Sequence, residues 1–430
     1  MTQADYALGP GQRVQARSMI LKLLREQGHC TRTDLGRLTG LSRSAVAKWV
    51  ADLVDEGLVD EVGTAAKGPG THRGRPSTLL VPVMPNGSVA GIDFGHSHVR
   101  VAIADLAGTV LAEQSVDLDV DNNATVALDA AGELFRDLLT AIDADPQCVR
   151  EAVAGVPGPI DRRTLTVCSP ILSDWVDVAP AVELGQRLGR PVHIENDADV
   201  GAWGEARYGA GRGFKHLLYI KASHGLGTGL VLAGTLYRGS RGFAGEIGHI
   251  TLEKDGAWCR CGNRGCLETV VSSSQVRRQL RATGHRDEHG TVALVLRDDA
   301  VSRRILSEAG RVLGRVAADM CNLLNPEAII IGGELGVGGE PLLSGVRESI
   351  DRFAQPATAE VVVVMTAQLG VRSEVMGAVA IAASRALEAP APDAQAPNAQ
   401  AAKFPQLSSR SYLVRHGLRV PATHRNGNAG

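Results

Sequence analysis

At 430 residues and 44% hydrophobic content, the chain is too long for one ordinary core and apolar enough to build two or three. No apolar run approaches the length of a membrane span, and residues 1–12 lack the charged and apolar regions of a signal peptide, so a soluble, cytoplasmic protein is expected. The net charge of −2 is uneven: residues 13–50 hold 8 Lys and Arg against 2 Asp and Glu, whereas residues 85–430 hold 34 against 39, a basic front end on an acidic body that suits nucleic acid.

After an arm at residues 1–12, Val14, Ile20, Leu21, Leu23 and Leu24 fall largely at helical spacing, and Gly28 closes that helix. A short second helix is predicted from about Thr33 to Thr39, capped by Thr31 or Thr33. Gly40, Leu41 and Ser42 make a tight turn, and a third helix reaches about Glu56. Helix, three-residue turn, helix is the helix-turn-helix arrangement, whose second member enters the major groove by its N-terminal residues. Ser42, Arg43, Ser44 and Lys48 lie on that leading face, with Val46, Val50 and Leu53 on the apolar one. A plain three-helix bundle has the same periodicity. A wing favours DNA binding: strands at 58–62 and 78–83 flank a glycine-rich loop holding Arg73-Gly74-Arg75-Pro76, which resembles the core of an AT-hook. Such an extended strand suits a narrow minor groove, while the bland alternative is a solvated hairpin tip. The winged helix-turn-helix domain is assigned to residues 13–84.

Pro82, Pro85, Asn86 and Gly87 mark a boundary. Strands follow at 88–94, near 99–104 and at 109–118, then a helix over about 124–142 and a strand at 152–155. Glu195-Asn196-Asp197 ends a strand and begins a helix, where Asn196 or Asp197 could serve as the N-cap. Further strands are expected at 217–222 and 228–233 and a long helix over about 301–324, followed by the run Ala328-Ile329-Ile330-Ile331-Gly332-Gly333. The periodicity says α/β.

The stretch from Glu246 to Glu268 reads EIGHITLEKDGAWCRCGNRGCLE and gathers His249, Cys259, Cys261 and Cys266. Four soft or borderline ligands this close suit one tetrahedral zinc ion with no open position, hence a structural one. Gly262 and Gly265 supply the backbone freedom of a short knuckle. A disulfide or free buried thiols are the alternatives; clustered cysteines without a secretory signal favour metal. Past a helix ending near Leu387, the Ala/Pro-rich run and the acid-free stretch 403–430, with Lys403, Arg410, Arg415, Arg419 and Arg425, read as a disordered basic tail over 389–430.

The pattern Glu246-Ile247-Gly248-His249 followed by Cys-x-Cys-Gly-x-x-Gly-Cys-x-Glu resembles the ROK proteins, a family of repressors, open reading frames and kinases. The resemblance covers about residues 13–388 and implies an α/β, two-lobed actin-like or hexokinase-like ATPase fold behind the α+β winged helix, with lobes at about 87–200 and 201–388 and the terminal helix packing back on the first. It implies that Glu246, His249 and Glu268 contact sugar hydroxyls, that His249 also holds the zinc, and that the domains pair as a homodimer or higher homo-oligomer. In the family's kinases the aspartate matching Asp197 is the general base and the asparagine matching Asn196 bonds another hydroxyl. A carboxylate suits a base or a pure sensor equally.

Three glycine motifs would serve ATP and magnesium in that fold: Asp93 and Gly95; Gly225, Gly227 and Gly229; and Gly332 with Gly333. The first departs from the family's pattern, with His96 where the kinases keep glycine and His98 in place of lysine, so close backbone approach to phosphate is opposed. The expectation is therefore a sugar-responsive transcription factor, a repressor of carbohydrate uptake or catabolism genes that partners operator DNA and a sugar or sugar phosphate. The alternatives are a sugar kinase carrying a DNA-binding appendage and an adaptor for a protein partner.

Overall fold

The computed structural model describes residues 16–17, 19–21, 23–24, 27–64, 78–83, 87–168, 173–176, 178–284, 290–297 and 299–388. Outside them lie the arm at 1–12, Val14, Pro85 and Asn86 of the boundary, the loop with Arg73 and Arg75, and the tail at 389–430. The described residues form two units, 16–83 and 87–388.

In the first unit, β1 (Cys30–Thr31) leads into α1 (Arg32–Thr39) and α2 (Arg43–Asp55), followed by β2 (Val59–Thr64) and β3 (Thr78–Pro82). Thr31 caps α1 in a reciprocal capping box with Asp34, and Gly40 ends it in the left-handed conformation at φ 71°. Ser42 caps α2 by accepting from the Ala45 N–H. Ile20, Leu24, Leu35, Val46, Val50, Leu53, Val59 and Leu80 form one core. The wing strands β2 and β3 are antiparallel as expected; the strand that sequence periodicity missed is β1, which pairs with β3 on its other side.

The second unit holds two five-stranded sheets. In the first, β4 (Ser88–Phe94), β5 (His98–Asp105) and β6 (Val110–Asp117) form an antiparallel meander, and β7 (Val149–Val156) and β10 (Val192–Asn196) add parallel to β4, giving the order β10-β7-β4-β5-β6; the two-residue strands β8 (Ile160–Asp161) and β9 (Thr166–Val167) pair apart from it. The second repeats the plan: β11 (Leu217–Ala222), β12 (Leu226–Leu232) and β13 (Thr235–Tyr237) meander, and β14 (Ala328–Gly332) and β15 (Val363–Thr366) add parallel to β11. Each sheet is thus first-strand-central, with two returns on one side and two crossovers on the other.

Helices α3 (Ala124–Ala141) and α4 (Pro180–Leu188) cover the outer face of the first sheet, and α7 (Ala300–Leu324) with α8 (Glu340–Phe353) that of the second; α6 (Ser273–Ala282) adjoins α7. Two helices change sides. α5 (Asp197–Tyr208) leaves the first sheet after β10 and packs on β11 and β12, whereas α9 (Ser373–Glu388) leaves the second after β15 and packs on β4 and β7. The two cross each other where a Cβ on Gly377 would stand 1.6 Å from the Val200 carbonyl oxygen, so only glycine permits that approach. The carboxyl ends of the parallel strands of both sheets therefore open toward α5 and α9.

Candidate functional site

Asn196 ends β10 and caps α5, its Oδ1 accepting from the Ala198 and Asp199 N–H groups at 2.9 and 3.2 Å while its Nδ2 donates to the Gly158 carbonyl at 2.8 Å. The cap commits most of this side chain. Asp197, the first residue of α5, is buried; its Oδ1 accepts from the Ala198 N–H at 2.8 Å, and its Oδ2 accepts from the Lys221 ammonium at 2.9 Å. Glu195, one residue earlier on the strand, points elsewhere and is held by His193 at 2.9 Å, bidentately by Arg238 at 2.8 and 2.8 Å, and by Arg162. Burial pushes Glu195 up, but His193 and Arg238 outweigh it and bring it down to about 2.

Beyond β13 the chain makes a short turn that carries Glu246 and His249. His249 Nδ1 lies 3.6 Å from Cys259 Sγ, and Cys261 Sγ lies 3.8 Å from Cys266 Sγ; the four ligand atoms all fall within 4.8 Å of one another. Two sulfurs each about 2.3 Å from a tetrahedral ion stand about 3.8 Å apart, so the cluster could hold a metal ion, and 3.8 Å is far beyond a disulfide bond. Gly262 and Gly265 both take positive φ, 92° and 62°, as the knuckle requires.

The other face of His249 looks inward: Nε2 is 3.7 Å from Glu246 Oε2. Burial first, then the Asp197 and Glu268 carboxylates, push Glu246 up to about 7. Glu268 reaches back to accept from the Leu226 N–H at 3.3 Å. The structure thus brings Asp197, Glu246, His249 and Glu268 around one space, with the metal-ligand cluster behind it, and turns Asn196 toward the Gly158 loop.

The glycine motifs have protein neighbours. His98 folds back over the β4–β5 turn so that its Nε2 meets Asp93 Oδ2 at 2.9 Å, and its ring takes the space a Cβ on Gly95 would need. A Cβ on Gly229 would stand 2.3 Å from the Ala198 carbonyl oxygen and one on Gly227 2.9 Å from Ala198 Cβ, because the start of α5 rests on β12. Gly332 and Gly333 lie beside Tyr219 and Ser223, and Gly225 beside Glu268. His96 is bonded through Nδ1 to Asp121 at 2.7 Å, its ring centroid is 5.6 Å from that of His224, and both line a cavity of about 410 Å³.

The ROK family pattern matches residues 89–385, most of the chain. The chain belongs to the ROK family. A winged helix-turn-helix DNA-binding pattern matches residues 15–60. The xylose repressor of Bacillus spizizenii is 28% identical over 84% of this chain and 92% of its own length. A glucokinase of Thermotoga maritima is 30% identical over 70% of this chain and 99% of its own, so its likeness omits part of the chain. The crystal structure of a ROK family transcriptional regulator, described as a homolog of the E. coli MLC protein, matches with a TM-score of 0.68 at 25% identity, over 87% of this chain and 96% of that one.

In this ROK protein the helix-turn-helix presents Ser42, Arg43, Ser44 and Lys48 as exposed residues, while Val46, Val50 and Leu53 are buried. No helix among the described residues is long and apolar enough to cross a membrane. Sequence reasoning missed Lys221, Glu374, Tyr219 and Arg238. A lysine inside the otherwise apolar strand LLYIKA, and a glutamate one residue into the apolar helix α9, were the signals available for the first two.

Proposed function

We propose that this ROK protein is a sugar-responsive transcriptional repressor that acts as a homodimer on operator DNA in the cytoplasm and leaves it when a sugar binds. The coexistence in one chain of an exposed recognition-helix face and a ROK domain whose Asp197, Glu246, His249 and Glu268 converge carries this reading. His249 through Nδ1 and the thiolates of Cys259, Cys261 and Cys266 hold one zinc ion, which when bound ties the knuckle together as a structural cross-link. His249 then joins the metal to the sugar pocket, since its Nε2 side faces Glu246. Asn196, Asp197, Glu246, His249 and Glu268 accept and donate to sugar hydroxyls.

Release follows from linkage: a sugar that prefers the DNA-free arrangement weakens DNA binding, and DNA weakens sugar binding by the same factor, commonly about 5- to 150-fold. The test is a melting-temperature screen of hexoses, pentoses and amino sugars, followed by operator titrations by fluorescence anisotropy with the sugar it finds. Glu246→Ala is expected to keep metal, fold and operator affinity and to stay on DNA at sugar concentrations that release the wild type; equal release would remove Glu246 from the sensor. The likeness to a glucokinase favours sugar phosphorylation as the second reading. Magnesium ATP with the same sugars separates the two, and no turnover in the range of about 1–100 per second is expected.

A further inference from the structure

Between β13 and Glu246 the chain makes a detour, residues 238–245, that leaves the second sheet and returns to it. Its ends meet where the Ala244 N–H donates to the Arg238 carbonyl at 3.3 Å, and the Gly245 carbonyl rejoins β12 by accepting from the Thr228 N–H at 3.1 Å. In between, the detour lands on the half of the domain built on the first sheet, at two points. Arg238 grips Glu195 of β10 with two hydrogen bonds of 2.8 Å, and Glu195 is only 3% exposed. Arg241 pairs with the buried Asp161 of β8, and its carbonyl accepts from the Arg162 N–H at 3.0 Å. The approach is close enough there that a Cβ on Gly242 would stand 2.5 Å from the Ile160 carbonyl oxygen.

These contacts close a ring. Glu195 precedes Asn196, whose Nδ2 donates to the Gly158 carbonyl; Gly158 leads into β8; Arg241 holds β8; and Arg241 shares its detour with Arg238, which returns to Glu195. The detour ends at Glu246. Asn196 from one half of the domain and Glu246 from the other are thereby fixed relative to each other by protein contacts alone. A bidentate arginine–carboxylate pair sets orientation as well as distance, and the burial of Glu195 keeps water from competing for it. The detour can also let go without unfolding either sheet: the Arg241 side chain is half exposed, and Gly239 and Gly245, at φ 69° and 96°, give it turning points. We infer that residues 238–245 are a strap that clasps the two halves of the ROK domain, and that Arg238 and Arg241 are positioning residues, holding Asn196 and Glu246 in register while touching no ligand themselves. That the residues so held bind sugar rests on the function proposed above; the clasp does not.

The experiment is hydrogen–deuterium exchange read by mass spectrometry on full-length protein carrying its zinc, with no sugar added. Labelling times of seconds to minutes are used, short enough that the central strands β11 and β14 stay protected. Arg238→Met keeps the apolar stem and removes the cation. It is expected to speed exchange in residues 158–165 and 238–249 at least about tenfold while β11 and β14 remain protected, and Arg238→Lys, which keeps a charged donor but not the fork, should restore part of the protection. Arg241→Ala, at a half-exposed position, should open the same two segments, and it carries the test should Arg238→Met not fold. Unchanged exchange in both segments of a folded variant overturns the inference. So does protection lost evenly over β11 and β14, or an Arg238→Lys chain no better protected than Arg238→Met, since either result would make these arginines ordinary supports of the fold. A chain that opens as expected yet responds to no sugar in the melting-temperature screen would remove the sensor and leave the strap standing.

Discussion

Glu195 and Asp197 are two residues apart and have opposite surroundings: Glu195 is clamped by Arg238, His193 and Arg162, whereas Asp197 faces Lys221. With Glu195 lowered from 4.5 to about 2 in the folded chain, its pairing stabilises the fold fully above about pH 4.5 and is lost as the pH falls through about 2. The stability gap between wild type and Glu195→Gln is thus expected to be about 3 kcal/mol at pH 7 and to close between pH 4.5 and 2, as read from urea unfolding. Zinc release in acid affects both proteins and cancels in the gap. At the knuckle, Cys261→Ser is expected to lose the zinc measured in the wild type and to abolish the sugar response while operator binding persists; zinc-free wild-type protein would remove the metal assignment. The knuckle was legible because its ligands are neighbours in sequence. The pairing of Lys221 with Asp197 and Glu374 was not, because these residues lie in three elements that only the tertiary fold brings together, and a single strand lysine does not name its partners.

Among the elements, the helix-turn-helix was the most readable. Its caps are encoded by side chains at fixed offsets, Thr31 reciprocally with Asp34 and Ser42 accepting from the Ala45 backbone N–H, so helix starts follow from local chemistry. The two-residue β1 has no period to detect, and the sequence view therefore saw a two-stranded wing where three strands pair. The glycine motifs carry a packing role as well. Gly227 and Gly229 suggest phosphate contact in a linear reading, yet each lies where α5 rests on β12, a packing reason that appears only once helix and strand are placed. For α2 the exposed face makes a direct prediction. Replacing Arg43 or Lys48 by Ala should each cost about 1–3 kcal/mol of affinity for a site selected from random-sequence DNA if it reads a base edge. Loss of affinity equal on all sequences, with a shallower salt dependence, would make the residue a phosphate contact instead.

At the scale of the molecule, the repeated five-strand plan confirms the two-lobed fold that periodicity alone left as α/β, and the exchange of α5 and α9 between the sheets is what sequence patterning could not supply. That exchange also constrains how the protein is made. All seven residues of β4 are buried, and one face of that strand is covered by α9, which the ribosome adds roughly 280 residues later, about 15–55 s at ordinary rates of synthesis. Until then the nascent first sheet lacks its α9 cover, so slower elongation lengthens the exposure of that apolar face. A chain ending at Arg372 should bind a hydrophobic dye and be cut by protease within the first sheet, while the full chain resists both; a protected, dye-silent truncation would show that the sheet closes without its last helix.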